Sequence, residues 1–166
     1  DKQQSFNASI TLSPKFGLYK PSLLLGYWQQ LLDAKQYGVS EELNKPLWKM
    51  DFRNWFEIDN TCKAMLYLRY RSGYDDGFTR NKHSFSVNIL LQKDFLQKSL
   101  TVSLYANDIF KQQRDRWTGY YSVATMTKDT YGYTRSIGIS VSYNFKNTGK
   151  GKYKGTGAGN DEKSRL

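Results

Sequence analysis

The chain has 166 residues, only 39% of them hydrophobic, and carries a formal net charge of +10; its mean hydropathy is −0.71. No run approaches the ~18 apolar residues of a membrane helix, which excludes helical spans but not strands, because membrane strands need an apolar residue only at alternate positions. A single cysteine, Cys62, excludes an internal disulfide framework and a Cys-rich metal site.

Taken in chain order, the dominant period is two, the signature of strands. Phe6, Ala8, Ile10 and Leu12 alternate with Ser5, Asn7, Ser9 and Thr11. Residues 23–32 alternate less clearly; Leu31-Leu32 could open a short helical turn, but the stretch reads as a strand beside its neighbours. Trp48, Met50, Phe52, Phe56 and Ile58 oppose Lys49, Asp51, Arg53, Glu57 and Asp59. Cys62, Ala64, Leu66, Leu68 and Tyr70 oppose Lys63, Tyr67, Arg69 and Arg71. Phe85, Val87, Ile89 and Leu91 oppose Ser84, Ser86, Asn88 and Gln92. Leu100, Val102, Leu104 and Ala106 oppose Thr101, Ser103, Tyr105 and Asn107. The clearest strand is the last, where Ile137, Ile139, Val141, Tyr143 and Phe145 share one face and Ser136, Gly138, Ser140, Ser142 and Asn144 the other.

Soluble antiparallel sheets alternate too. The connectors separate the two cases. Short links at 13–15, 59–61 and 94–98 alternate strictly with longer ones at 34–45, 72–81 and 112–130. Outer-membrane barrels keep that order, with short periplasmic turns and long outer loops; a sandwich has no reason to. The expected fold is therefore all-β: an antiparallel up-and-down transmembrane β-barrel segment over residues 1–145, followed by a flexible periplasmic tail at 146–166. Seven membrane strands are expected, with 117–125 and part of 130–135 forming a taller hairpin outside the membrane. Counting 117–125 as an eighth strand gives a small closed barrel. Bacterial barrels normally have even strand counts, so seven describe part of a larger one. The start at Asp1 is likewise expected to lie inside a longer precursor.

Aromatics reach 16%, with 13 Tyr, 9 Phe and 4 Trp. That fits aromatic girdles at two membrane interfaces, and also a soluble β-sandwich or carbohydrate-binding module. The basic residues are spread out, several of them in the tail (Lys146, Lys150, Lys152, Lys154), without an RNA- or DNA-binding motif. The expected partners are thus outer-membrane lipid and lipopolysaccharide, and no nucleic acid.

Signals for chemistry are weak. His83 is the only histidine and has no Cys or acidic cluster around it. Asp75-Asp76 and Asp161-Glu162 read as solvated turn residues. The Gly155 to Gly159 run lacks the flanking strand, helix and Gly-Lys-Ser/Thr ending of a nucleotide loop. No catalytic residue, metal or cofactor is expected, and no enzyme. The lumen-side charges carry more interest. Asp51, Arg53 and Glu57 share a face, as do Lys63, Arg69 and Arg71 on the next strand. A charge facing lipid costs about 2–4 kcal/mol at mid-membrane, so these six should point inward, pairing with one another before lining a solute path or holding a plug.

Leu104-Tyr105-Ala106-Asn107-Asp108-Ile109-Phe110 resembles the Asn-Leu-Phe-Asp stretch in the penultimate strand of TonB-dependent receptors. Tyr133-Thr134-Arg135 and the final Ile-Gly-Ile-Ser-Val-Ser-Tyr-Asn-Phe resemble their last strand; Pro46-Leu47-Trp48, Lys93-Asp94-Phe95-Leu96, Lys152-Tyr153-Lys154-Gly155 and Asp161-Glu162 add to the match. Together they are similar to the outer-membrane barrel family of Bacteroidetes. The resemblance marks Asn107, Asp108, Ile109 and Phe110 as the penultimate-strand motif. It implies a barrel of about 22 strands with an N-terminal plug, taking up nutrients with energy from the inner-membrane TonB system. The rest of the barrel and the plug, through which TonB acts, would be partners outside this chain. A stand-alone barrel with a structural or adhesive role remains the alternative.

Overall fold

The computed structural model describes residues 3–145. The expected tail, with the Gly155 to Gly159 run and Asp161-Glu162, lies outside the described residues. Eleven strands follow one another: β1 (Gln4–Leu12), β2 (Tyr19–Leu31), β3 (Leu47–Glu57), β4 (Cys62–Arg71), β5 (Tyr74–Asp76), β6 (Thr79–Asn81), β7 (Ser84–Phe95), β8 (Leu100–Asn107), β9 (Arg114–Tyr120), β10 (Thr125–Tyr131) and β11 (Ser136–Tyr143). A 3-10 turn, Ala34–Tyr37, follows β2.

Seven strands make one antiparallel sheet in the order β1-β2-β3-β4-β7-β8-β11. They are 8 to 13 residues long, spanning the ~9–11 residues that a tilted membrane strand needs. Each pairs with the next one up the chain, in the expected up-down order, and β1 and β11 form its edges. The remaining four form a second sheet, β10-β9-β6-β5. It repeats the neighbour order of the last four strands of the first: β5 continues β4, β6 leads into β7, β9 follows β8, and β10 leads into β11. It is an outward extension of the long-loop side, not a second layer in Greek-key order.

Two details differ from the sequence reading. The taller hairpin is β9 and β10, which meet at Tyr121, whose backbone N–H donates to the Ala124 carbonyl at 2.9 Å; residues 117–125 thus straddle a turn. The β5–β6 hairpin was not expected, because its strands are three residues long and show no alternation. Gly77, at φ +56, makes its turn.

The register places every expected apolar row on one continuous face. Leu12, Leu23, Phe52, Leu68 and Val87 are consecutive cross-strand partners, and so are Leu66, Ile89, Ala106 and Ile137. This face is uncovered: Phe6 is 62% exposed and Ile137 81%. A soluble sandwich would bury it against a second sheet, so that alternative falls. At the outer end of the face Phe6, Tyr27 and Trp48 make successive ring contacts at 5.9 and 4.7 Å, and Tyr70 pairs with Phe85. At the short-turn end Phe16, Tyr19 and Phe56 stack at 6.3 and 4.9 Å, and Tyr143 meets Phe145 at 4.7 Å. Mostly aliphatic residues fill the band between, with Phe52 among them. Two aromatic belts around an aliphatic band are what the two interfaces and the hydrocarbon between them select. Phe145 itself lies just past β11, held near it by the Asn144 N–H to the Ser99 carbonyl at 2.7 Å.

Polar residues also fall on the apolar face: Gln4 and Gln29 at its outer end, Lys93 beside Cys62 towards the short turns, and Asn54 between. Asn54 is buried, and its Oδ1 accepts from the Tyr19 hydroxyl at 2.6 Å. A partner from the same face removes most of the cost of an amide there. The short turn after β3 is fixed by Asp59, whose Oδ1 accepts from the Thr61 N–H at 2.6 Å, the Thr61 hydroxyl at 2.7 Å and the Cys62 N–H at 2.8 Å. The Thr61 bonds, helped by Lys93, hold this carboxyl well below the usual carboxylate range. A lowered folded value stabilises the turn above about pH 4, and that contribution fades as pH falls towards the folded value.

The face assignment predicts an asymmetry between neighbours. In the intact protein refolded into lipid vesicles, Ile139→Arg should lower unfolding stability in urea by about 2–4 kcal/mol. Ser140→Arg, one residue along and on the lumen face, should cost well under half of that. Equal losses would contradict the assignment.

Candidate functional site

Opposite the lipid face, the sheet carries most of its polar side chains, with Leu24, Trp55, Met65 and Leu90 among them. All six expected charges lie there: Asp51 pairs across strands with Arg69, Glu57 with Lys63, and Arg53 and Arg71 sit opposite Tyr67 and Lys49. Their partners are more specific than strand adjacency implies. Arg69 Nε lies 3.1 Å from Asp51 Oδ1. The Tyr67 hydroxyl donates to the same oxygen at 2.7 Å and accepts from Arg69 Nη2 at 2.7 Å. Arg53 and Arg69 stand over the Tyr67 ring at 4.9 and 5.2 Å, within cation–π range. Tyr67 is thus the hub, and sequence charge-counting passed over it. Glu57 takes Lys20 at 2.7 Å in place of its cross-strand neighbour Lys63. Arg53, Lys63 and Arg71 have no carboxylate within ion-pair distance among the described residues. Pairing therefore accounts for half of the six charges and leaves three cations on this face without a carboxylate partner among the described residues.

Close approach on this face needs glycine twice. A Cβ on Gly138 would run into the Tyr105 ring opposite it, and one on Gly26 into the Lys49 stem. The aromatic ring and the lysine stem lie flat across the sheet at these positions.

The long connections build the only buried apolar cluster among the described residues, Ala34, Val39 and Leu43, with Phe78 and Tyr120 packed against it. Asp75 anchors it. Expected to be a solvated turn residue, it is 1% exposed. Its carboxylate accepts from Arg80 Nε at 2.9 Å and Nη2 at 3.2 Å, and from the Lys45 N–H at 3.0 Å. Arg80 also donates to the Glu42 carbonyl at 2.7 Å and stands over the Tyr120 ring at 5.8 Å. One fork therefore ties the 34–45 loop, the β5–β6 hairpin and β9 together. The bond to Asp75, above other effects, pushes the Arg80 guanidinium further up its already high range.

The residues Asn107, Asp108, Ile109 and Phe110 prove to be the exit from the penultimate strand, with only Asn107 in β8. Asp108 is fully buried at 0% exposure. Its Oδ1 accepts from the Gln112 and Gln113 N–H groups at 3.0 and 3.2 Å, and its Oδ2 from the Thr134 hydroxyl at 2.6 Å. Its own N–H donates to Asn88 Oδ1 at 2.8 Å. Asn107 Nδ2 meets Ser136 Oγ at 3.0 Å, and the Ile109 N–H reaches the Val87 carbonyl at 3.1 Å. Phe110 is exposed. The two sequence segments that carry the resemblance, Asn107-Asp108 and Thr134, thus meet around one carboxylate that fixes where the β9–β10 hairpin leaves and re-enters the sheet. Among the described residues no group of three or more His, Cys, Asp or Glu could hold a metal.

The family model described as outer membrane protein beta-barrel family matches residues 2–143. No curated protein and no solved structure matches the chain.

Asp108→Ala leaves two backbone donors and a hydroxyl without their partner in a buried place. We expect a loss on the order of 3 kcal/mol, seen as faster hydrogen exchange across 108–135 in the refolded intact protein, with Thr134→Val showing a smaller loss in the same region. Unchanged exchange in Asp108→Ala would contradict its role as the anchor.

Proposed function

The chain belongs to the outer membrane protein beta-barrel family, and on that premise we propose that it forms the C-terminal part of a TonB-dependent receptor that takes up nutrients. Its place is the outer membrane. The observation that carries the reading is the seven-stranded sheet whose two edges, β1 and β11, each pair on one side only. Unpaired backbone groups are costly in hydrocarbon, so these edges need partners, either each other or further strands, and the odd count of seven favours further strands. The residues around Asp108 and Thr134, which resemble the last two strands of such receptors, support placing this stretch at the barrel's end. On this reading the chain supplies wall, lumen surface and outer loops and performs no chemistry. The plug, and through it the TonB system of the inner membrane, would act from elsewhere in the protein, and lipopolysaccharide would contact the outer aromatic belt.

Growth on a panel of nutrient sources tests this whatever the solute is. A strain lacking the intact protein is compared with one lacking TonB. Every source whose use is lost in the first should be lost in the second. A source lost only with this protein would contradict energised uptake and favour a passive barrel.

A further inference from the structure

Where the first sheet gives way to its outer extension, the lumen face encloses a cavity of about 330 Å3, within the size range of small-ligand sites. Its lining comes from both sides of the break: Arg69 and Arg71 from β4, Ser84 and Ser86 from β7, and Arg114 and Arg116 from β9, with Lys82 and Tyr74 between. Basic residues dominate, and the one acidic residue in the lining is Asp115.

Some of this charge is already answered. Arg69 is paired with Asp51, Arg114 with Asp129 at 2.9 Å, and Asp115 with Lys128 at 2.6 Å. Arg71, Lys82 and Arg116 are not: no carboxylate lies within ion-pair distance of them among the described residues. Arg116 spends one Nη2 bond on the His83 carbonyl at 2.8 Å, while its Nε is buried with no hydrogen-bond partner. Ser86 is 2% exposed and its Oγ is likewise buried without a partner. Native proteins rarely leave such groups unanswered, and each one asks for an explanation. Here the two orphaned polar atoms belong to residues that line the same cavity, beside two further uncompensated cations, Arg71 and Lys82.

We propose that this cavity is a binding site for a small anionic solute, held through a carboxylate, phosphate or sulfate group. Guanidinium forks match the paired oxygens of such groups. Cations clustered in a concave wall of low dielectric repel one another and concentrate a counter-charge, so an oxyanion relieves the site that recruits it. Arg69, Arg71, Ser84 and Ser86 put the cavity's sheet lining mainly on the lumen face, with Phe85 its contribution from the apolar side, which sets it apart from lipid headgroups.

The test is calorimetric titration of the intact protein, in nonionic detergent at constant ionic strength, with inorganic sulfate and with inorganic phosphate as probes. Saturable binding is expected. Arg71→Gln and Arg116→Gln should each weaken it tenfold or more, and Arg116→Lys less than Arg116→Gln. Lys20→Gln, at the opposite end of the lumen, should leave it unchanged and so controls for net charge. Added lipopolysaccharide should not compete. The inference is overturned if the unaltered protein shows no saturable binding, as when a carboxylate from elsewhere in the protein fills the cavity. It is overturned equally if Arg71→Gln and Arg116→Gln bind as the unaltered protein does, if Lys20→Gln weakens binding as much as they do, or if lipopolysaccharide competes. Binding is measured, not transport: a protein that binds sulfate here yet fails the growth comparison keeps this inference and loses the uptake reading.

Discussion

Hydrocarbon offers a polypeptide backbone no hydrogen bonds, so each N–H and C=O that enters it must find a partner within the protein. In a strand those partners lie on neighbouring strands, which forces a continuous ladder. The ladder in turn fixes that successive side chains point to opposite faces. Everything else in this molecule is an answer to that constraint. The seven strands run in sequential antiparallel order because short turns such as the one held by Asp59 are the cheapest way to keep neighbours paired. Their register is held because a slip of one residue would turn most of the apolar side chains inward and most of the charges into lipid.

The usual anatomy of a soluble domain is therefore inverted. The membrane sheet shows its apolar side chains outward and keeps its ionic contacts, centred on Tyr67, within. A buried apolar cluster of the ordinary kind occurs only in the outer loops, around Leu43 and Phe78, where water returns and the hydrophobic effect applies again. Two buried carboxylates hold this outer part to the sheet. Asp75 fixes the loops after β2 and β4 through Arg80, and Asp108 fixes the β9–β10 hairpin through Thr134. The cavity at the junction of sheet and extension is lined from β4, β7 and β9 together.

How far this was legible in the sequence follows from the range of each interaction. The alternation from Ile137 to Phe145 is local, and a period-two pattern survives any tertiary detail; the same holds for the other membrane strands except β2, where the run Leu23-Leu24-Leu25 blurs it, and for the face carrying Asp51, Arg53, Glu57, Lys63, Arg69 and Arg71. Long-range partners leave no such trace. Asp75 looks like any turn aspartate until Arg80 and the Lys45 backbone close around it. Asn54 sits on the apolar face only because Tyr19, 35 positions away, reaches it. Glu57 chooses Lys20 over Lys63 through side-chain reach that strand adjacency does not specify. Ser86 and Arg116 carried no signal at all, since a polar group without a partner becomes visible only when its surroundings are placed. The β5–β6 hairpin was missed for a different reason: three-residue strands are shorter than the window in which alternation can be read.

The central claim is that the face bearing Ile137, Ile139, Val141, Tyr143 and Phe145 meets lipid while the face between them meets water in a lumen. Nitroxide labels placed singly at residues 136–145, in the intact protein with Cys62→Ala and reconstituted into bilayers, measure this directly through accessibility to oxygen and to a water-soluble nickel chelate. Odd positions should be accessible to oxygen and shielded from nickel, even positions the reverse, with the alternation unbroken through 143. Labels that alternate in the opposite phase, or that are open to nickel at every position, would contradict the account.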